Sequence, residues 1–283
     1  MQIQLKFLGA TKTLIGKMKI NIAGGSGLMG RIHKPVFERA GHEILISGRE
    51  SSPSLEEAAK ISDVTIVSVP IHATEDVVRR VAPYCRALMD FTSVKVIPMK
   101  WMTQNAPKDC EIMGMHPLYG DVSSIKGRTV VYCSAMRGLK ERSGERTYEV
   151  LKSLESAGAK LKQMDPRLHD FQLGGYLQIG RMESLDNFGM FLANSGLSFE
   201  EAYELSPPPT RIMLNLLARQ VDESNDKLHL DMAAYNQFSS KAKAELSKKT
   251  PYNSSEIPKV IRKWFGAGLA QAQERAQKYI DSV

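Results

Sequence analysis

Five short stretches of the chain carry residue types that could do chemistry. The first, Gly25-Ser26-Gly27-Leu28-Met29-Gly30, is a G-x-G-x-x-G run set between an apolar stretch and an amphipathic one. In that setting Gly25 permits a tight turn, Gly27 lets the backbone approach a pyrophosphate, and Gly30 lets helix and strand pack closely, with free helix N–H groups facing the anion. A structural glycine turn would carry the same letters; the flanking strand and helix favour a dinucleotide site. The second stretch, Ser47-Gly48-Arg49-Glu50-Ser51-Ser52, ends a strand without the acid that usually holds the ribose hydroxyls of NAD. Arg49 can pair a 2′-phosphate bidentately and Ser51 and Ser52 can donate to it, so NADP is expected ahead of NAD. The other reading has Glu50 gripping the ribose of NAD. Pro70, where the third strand ends, is placed with the cofactor as well.

The remaining stretches face a substrate. Asp90-Phe91-Thr92-Ser93-Val94-Lys95 follows a strand, so Ser93 falls in the crevice region of an α/β sheet or caps the next helix, a task Thr92 could take instead. Lys95 orients this loop or the cofactor, or is a solvated first-turn lysine. Met115-His116-Pro117-Leu118-Tyr119-Gly120 offers His116, whose neutral imidazole could accept a proton near pH 7. A structural histidine is the alternative, since the sequence shows no partner for it. His33, His42, His72 and His229 sit in ordinary helix, turn or loop contexts. In Pro207-Pro208-Pro209-Thr210-Arg211, the Arg211 guanidinium could grip a carboxylate or be a plain surface charge.

These residues need a scaffold, and the first half of the chain supplies its rhythm. Short β-rich runs alternate with amphipathic stretches: strands at Lys19–Ala23, Glu43–Ser47 and Val64–Val69, then at 88–91, 112–115, 129–133 and 159–164. Helices are predicted from Gly30 to Ala40, after Ser54, and over 75–81, 94–103 and 141–156. That pattern is a parallel α/β sheet. After Asp165-Pro166 strand signals give way to helical periodicity over 168–194, 198–204, 210–225, 227–248 and 258–280, broken at the three prolines and at Thr250–Asn253. The division is an N-terminal extension (1–17), a Rossmann-like dinucleotide-binding domain (18–165) and an all-α domain (166–283).

Composition excludes several classes. Of 283 residues, 42% are hydrophobic and 24% charged, which is ordinary for a globular chain rather than a disordered one. The longest uncharged run, 187–199, is short of the roughly 18 residues a membrane helix needs. A net charge of +7 favours an anionic partner, but the basic residues are scattered and aromatics are only 7%, which argues against nucleic acid. Cys85, Cys110 and Cys133 are an odd, widely spaced set without metal-ligand spacing, so no metal and a reducing, cytoplasmic setting are expected. Lys6, Lys12 and Lys17 interrupt any signal-peptide core.

Taken together, Thr92-Ser93-Val94-Lys95, His116-Pro117-Leu118-Tyr119-Gly120 and Arg211 after the prolines make the chain resemble the prephenate/arogenate dehydrogenases, including 4-amino-4-deoxyprephenate relatives. The resemblance runs from about Lys19 to Tyr279 and takes in His169-Asp170, Tyr176-Leu177-Gln178 and Arg262-Lys263-Trp264-Phe265-Gly266. It implies oxidative decarboxylation of a small anionic cyclohexadienyl substrate: hydride passes to the nicotinamide, carboxylate leaves across the ring, and the ring becomes aromatic. It further implies that His116 takes the hydroxyl proton and that Ser93 bonds the same hydroxyl. Arg211 would hold a carboxylate, with Tyr176, Gln178 and Arg181 lining the pocket of a homodimer joined through its helical, dimerisation domain.

One departure bears on the substrate. Many members carry a histidine where this chain has Met182, and Glu183 and Asp186 add negative charge nearby. Carboxylates facing the pocket would favour an amine-bearing substrate, arogenate or 4-amino-4-deoxyprephenate, over the dicarboxylate prephenate. Two other functions stay open: another NADP-dependent reductase of Rossmann plus helical type, and a non-catalytic dinucleotide-binding homologue.

Overall fold

The computed structural model describes residues 16–49, 51–134, 141–221, 223–248 and 256–281. Most of the N-terminal extension, Glu50 and the Thr250–Asn253 break lie outside them. The chain divides into two compact units, one ending at Asp170 and the other starting at Phe171. That boundary falls five residues after the change in composition at Asp165-Pro166.

The first unit is built on strands β1 (Lys19–Ala23), β2 (Glu43–Ser47), β3 (Val64–Val67), β4 (Ala87–Asp90), β5 (Glu111–Pro117), β6 (Thr129–Cys133) and β7 (Lys160–Gln163). Helices α1 (Leu28–Arg39), α2 (Leu55–Ile61), α3 (Ile71–Val81), α4 (Val96–Asn105) and α5 (Glu145–Ser156) lie between strands, and the single turn α6 (Pro166–Leu168) follows β7. The sheet order is β2-β1-β3-β4-β5-β6-β7. Successive residues of a strand enter opposite layers: Met89 joins the core with Ile20, Ile66 and Phe37, while Leu88 packs with Val67, Met99 and Met102 on the other face. Both faces are therefore covered by helices, which explains why β3 is buried throughout. Ser54 caps α2 as expected, accepting from Glu57 N–H while the Glu57 carboxylate reaches back to Ser54 N–H. The parallel expectation fails at one place, because β5 and β6 run antiparallel.

The second unit is helical: α7 (Gly180–Ala193), α8 (Phe199–Leu205), α9 (Pro208–Gln220), α10 (Glu223–Tyr235), α11 (Ser239–Ser247), α12 (Ile257–Phe265) and α13 (Leu269–Ile280). The long helix expected over 168–194 is present, but His169–Ile179 is wound as a π-helix. Gly174 lies within it, where a Cβ would come 2.3 Å from Asn236 Nδ2. Glycine's low helix propensity makes that widened winding cheaper. The helix expected over 227–248 breaks at Asn236, whose side chain accepts from Phe238 N–H at 2.9 Å, and the one over 258–280 breaks at Gly266, with φ +53°.

Candidate active site

The carboxyl ends of β1 to β5 carry the first-unit residues singled out from the sequence, at the edge where open α/β sheets bind ligands. After β1 the tight turn is taken by Gly24, with φ +84°, one residue before the position expected to need it. Gly25 is required for space instead: a Cβ there would meet Ile46 Cδ1 at 2.4 Å, and one on Gly30 would meet the Gly25 carbonyl oxygen at 2.0 Å. Gly27 precedes α1 and provides no side-chain cap, so the first-turn N–H groups stay open to an anion. Ser26 is exposed and Leu28 and Met29 are half-buried in this turn. The cradle fits a dinucleotide pyrophosphate.

Beyond β2, Arg49 and Ser52 are exposed. Ser51 is not the free donor it was expected to be, because its hydroxyl accepts from Gly48 N–H at 2.6 Å and donates to the Pro53 carbonyl at 2.9 Å. It closes the loop that presents Arg49. Pro70 is exposed, and its carbonyl accepts from Ala73 N–H in the first turn of α3.

Of the two readings open for Lys95, the solvated one fails. The side chain is fully buried, its ammonium bonded to the Asp90 carboxylate and, at 2.7 Å, to the Met115 carbonyl. Gly114 on β5 makes room, since a Cβ there would crowd Lys95 Cδ at 3.1 Å. Helix α4 starts at Val96, two residues late, and neither Thr92 nor Ser93 caps it. Thr92 bonds to Asp90 instead. The capping group comes from far along the chain: Asp170 accepts from Lys95 N–H at 2.7 Å and Val96 N–H at 2.9 Å. Ser93 is half-buried, and no hydrogen bond to its hydroxyl is seen among the described residues.

His116 lies near the end of β5, 3% exposed, with Nδ1 2.9 Å from His169 Nε2. His169 Nδ1 in turn lies 2.8 Å from the Asp170 carboxylate. A carboxylate only accepts, so His169 carries its proton on Nδ1 and accepts with Nε2; His116 then donates from Nδ1, and its Nε2 keeps a lone pair. Burial, with His169 and Lys95 nearby, holds the His116 pKa well below the usual histidine range. Burial also lowers His169, against the pull of Asp170. The chain thus builds a neutral imidazole oriented by a two-residue support. His169 and Asp170 were visible in the sequence as an adjacent pair, but no local signal links them to His116.

In the second unit the expected substrate residues are largely engaged within the unit. Arg211 donates to the Tyr203 and Glu204 carbonyls, closing the end of α8, and lies 5.3 Å over the Tyr203 ring. Arg181 bonds Gln220 at 2.9 Å. Tyr176 is half-exposed, edge-on to Phe171. Gln178 keeps a buried Oε1 without a partner among the described residues. Met182 is buried. Glu183 and Asp186 are not bare charges: Lys243 lies 2.6 Å from Glu183, and His229 lies between the two acids at 3.3 and 3.6 Å. Burial works against ionising Glu183, but Lys243 and His229 hold its pKa below the usual value. The charge argument for an amine-bearing substrate therefore loses its premise.

Several known proteins are similar to this chain. Residues 29–159 match the family model for the nucleotide-binding domain of prephenate dehydrogenase. A probable arogenate/prephenate dehydrogenase of Methanocaldococcus jannaschii is 26% identical over 282 residues, covering 94% of this chain and 61% of that protein. The T-protein of Haemophilus influenzae is 31% identical over 205 residues, 71% of this chain and 52% of that protein. The chain is similar to the prephenate/arogenate dehydrogenases, and the likeness takes in its nucleotide-binding region. It spans about half to three-fifths of the length of these curated relatives. The family fold is likewise seen in the prephenate dehydrogenase of A. aeolicus, solved with hydroxyphenyl propionate and NAD+, with a TM-score of 0.67 at 16% identity over 94% of this chain and 99% of that one.

Proposed function

We propose that the chain is a prephenate/arogenate-type dehydrogenase that uses NADP. The observation that carries this reading is the His116–His169–Asp170 relay at the sheet edge that also bears the glycine cradle. The nicotinamide, when bound, supplies the hydride acceptor. His116 Nε2 takes the substrate hydroxyl proton as that carbon becomes a carbonyl, and His169 with Asp170 stabilises the imidazolium that forms. Ser93 holds the same hydroxyl, and departure of the carboxylate as carbon dioxide leaves its electron pair to complete the ring. Arg49, exposed just beyond β2 where it could pair a 2′-phosphate, supports NADP over NAD.

The substrate is proposed as prephenate or arogenate, with Arg211, Tyr176, Gln178 and Arg181 as its contacts. The decisive assay follows reduced nicotinamide and carbon dioxide with prephenate, arogenate and 4-amino-4-deoxyprephenate, each with NADP+ and NAD+. Equimolar formation of both products is expected with at least one of the first two; no turnover of any would end the proposal. A homodimer formed through the helical unit is proposed too, supported by exposed Phe191, Leu205, Trp264 and Tyr279. Three buried, free cysteines suit a cytoplasmic location, and no helix among the described residues is long and apolar enough to cross a membrane.

A further inference from the structure

One buried histidine of the first unit has no part in the relay. His33, on α1, is fully buried, its ring 4.4 Å from that of Phe91 and 5.7 Å from that of Tyr119. Its Nδ1 lies 2.7 Å from the Met29 carbonyl and its Nε2 2.8 Å from the Tyr119 hydroxyl. A carbonyl only accepts, so Nδ1 carries the proton and Nε2 accepts the phenol's. Burial lowers the His33 pKa to about 4 and raises that of Tyr119, so neither group ionises near neutral pH and the bond keeps one direction.

The two ends of this bond matter. Met29 is inside the glycine motif, and Gly30 beside it sits directly on the Gly25 backbone. Tyr119 lies three residues beyond His116, in the loop that leaves β5. We propose that His33 is a positioning residue that ties the His116 loop to the helix of the dinucleotide motif, so that the proton acceptor and the pyrophosphate cradle are held in one frame. This rests on His116 being the acceptor. Displacing such a group by about 1 Å can cost as much as 100-fold in rate without touching the cofactor's own contacts.

Tyr119→Phe removes one hydroxyl and keeps the ring, and His33→Gln keeps an acceptor and a donor, whereas His33→Leu keeps neither. The expected result is a roughly tenfold loss of kcat in Tyr119→Phe and His33→Leu, with the NADPH dissociation constant within about twofold of wild type and partial recovery in His33→Gln. Nitrogen-15 histidine spectra, recorded without substrate, should show the His116 signals shifted or broadened in Tyr119→Phe. Unchanged kcat together with unchanged His116 signals would overturn the assignment, as would a loss of NADPH affinity equal to the loss of kcat. If wild type turns over none of the substrates, the dehydrogenase reading fails, and the spectra still decide whether His33 and Tyr119 set the environment of His116.

Discussion

The rings of His116 and His169 meet edge to face, centroids 5.1 Å apart, with a single Nδ1-to-Nε2 contact of 2.9 Å between them. Since Asp170 fixes the proton on the far side of His169, this one contact decides which nitrogen of His116 can act. His116→Asn should lower kcat by about 10² to 10⁴ and leave NADPH binding unchanged. His169→Phe, which keeps the ring but not the acceptor, should also lower kcat while NADPH binding holds. Full activity in His169→Phe, measured by steady-state kinetics, would remove the relay from the mechanism.

Asp170→Asn offers a two-part outcome, because that carboxylate serves two masters. Losing the orientation of His169 should reduce kcat, and weakening the cap on Lys95 and Val96 should cost about 1 kcal/mol of stability. Urea unfolding beside kinetics separates the two. A stability change without a kinetic one would make Asp170 a helix cap and nothing more.

Acid should destabilise the fold through its buried histidines. The folded-state pKa of His33 lies near 4, below the ordinary 6.5 of the unfolded chain. Below 6.5 the unfolded state therefore binds protons that the folded state refuses, and stability, whole above that value, falls between about 6.5 and 4. His33 alone accounts for about 3 kcal/mol across the window. His116 and His169 act in the same direction. Urea midpoints at pH 7.5 and 4.5 test this, and the gap should shrink in His33→Gln.

Arg49→Ala should raise KM for NADP+ about tenfold or more and spare NAD+, as expected for loss of a charge-assisted bond to the 2′-phosphate. Ser51→Ala should act indirectly, by loosening the loop it closes between Gly48 and Pro53. Equal KM values for both cofactors in the wild type would count against the NADP preference.

A homodimer should sediment as such at micromolar concentration. Trp264 and Phe191 expose 77% and 73% of their surface, so Trp264→Glu or Phe191→Glu should shift the equilibrium toward monomer if either lies in the interface. Wild-type protein that sediments as a monomer there would refute the dimer.

Local patterns made much of this molecule legible. The strands and the glycine motif were readable because period-two alternation, short apolar runs and glycine's lack of a Cβ are properties of neighbouring residues. Between the two readings of Lys95 the sequence could not choose, because burial is not local: its place depends on Asp90, on the Met115 carbonyl and on the space left by Gly114. The partners of His116 lie 53 and 54 positions away, and Glu183 looked unpaired because Lys243 and His229 lie on other helices. Helical periodicity likewise could not announce that 169–179 would widen into π-winding.

The antiparallel pairing of β5 with β6 has a consequence for how such a protein can diversify. Residues 118–128 join two adjacent strands as a hairpin closed by Leu118 N–H on the Thr129 carbonyl at 2.9 Å, with no crossover helix in between. A crossover would have to repack against the sheet whenever its length changed. A hairpin does not: doubling a flexible loop adds only about 0.6 kcal/mol of closure cost. Residues 120–124, between Tyr119 and the buried Ile125, are thus a cassette that can be lengthened or exchanged while the strand that carries the imidazole stays in register.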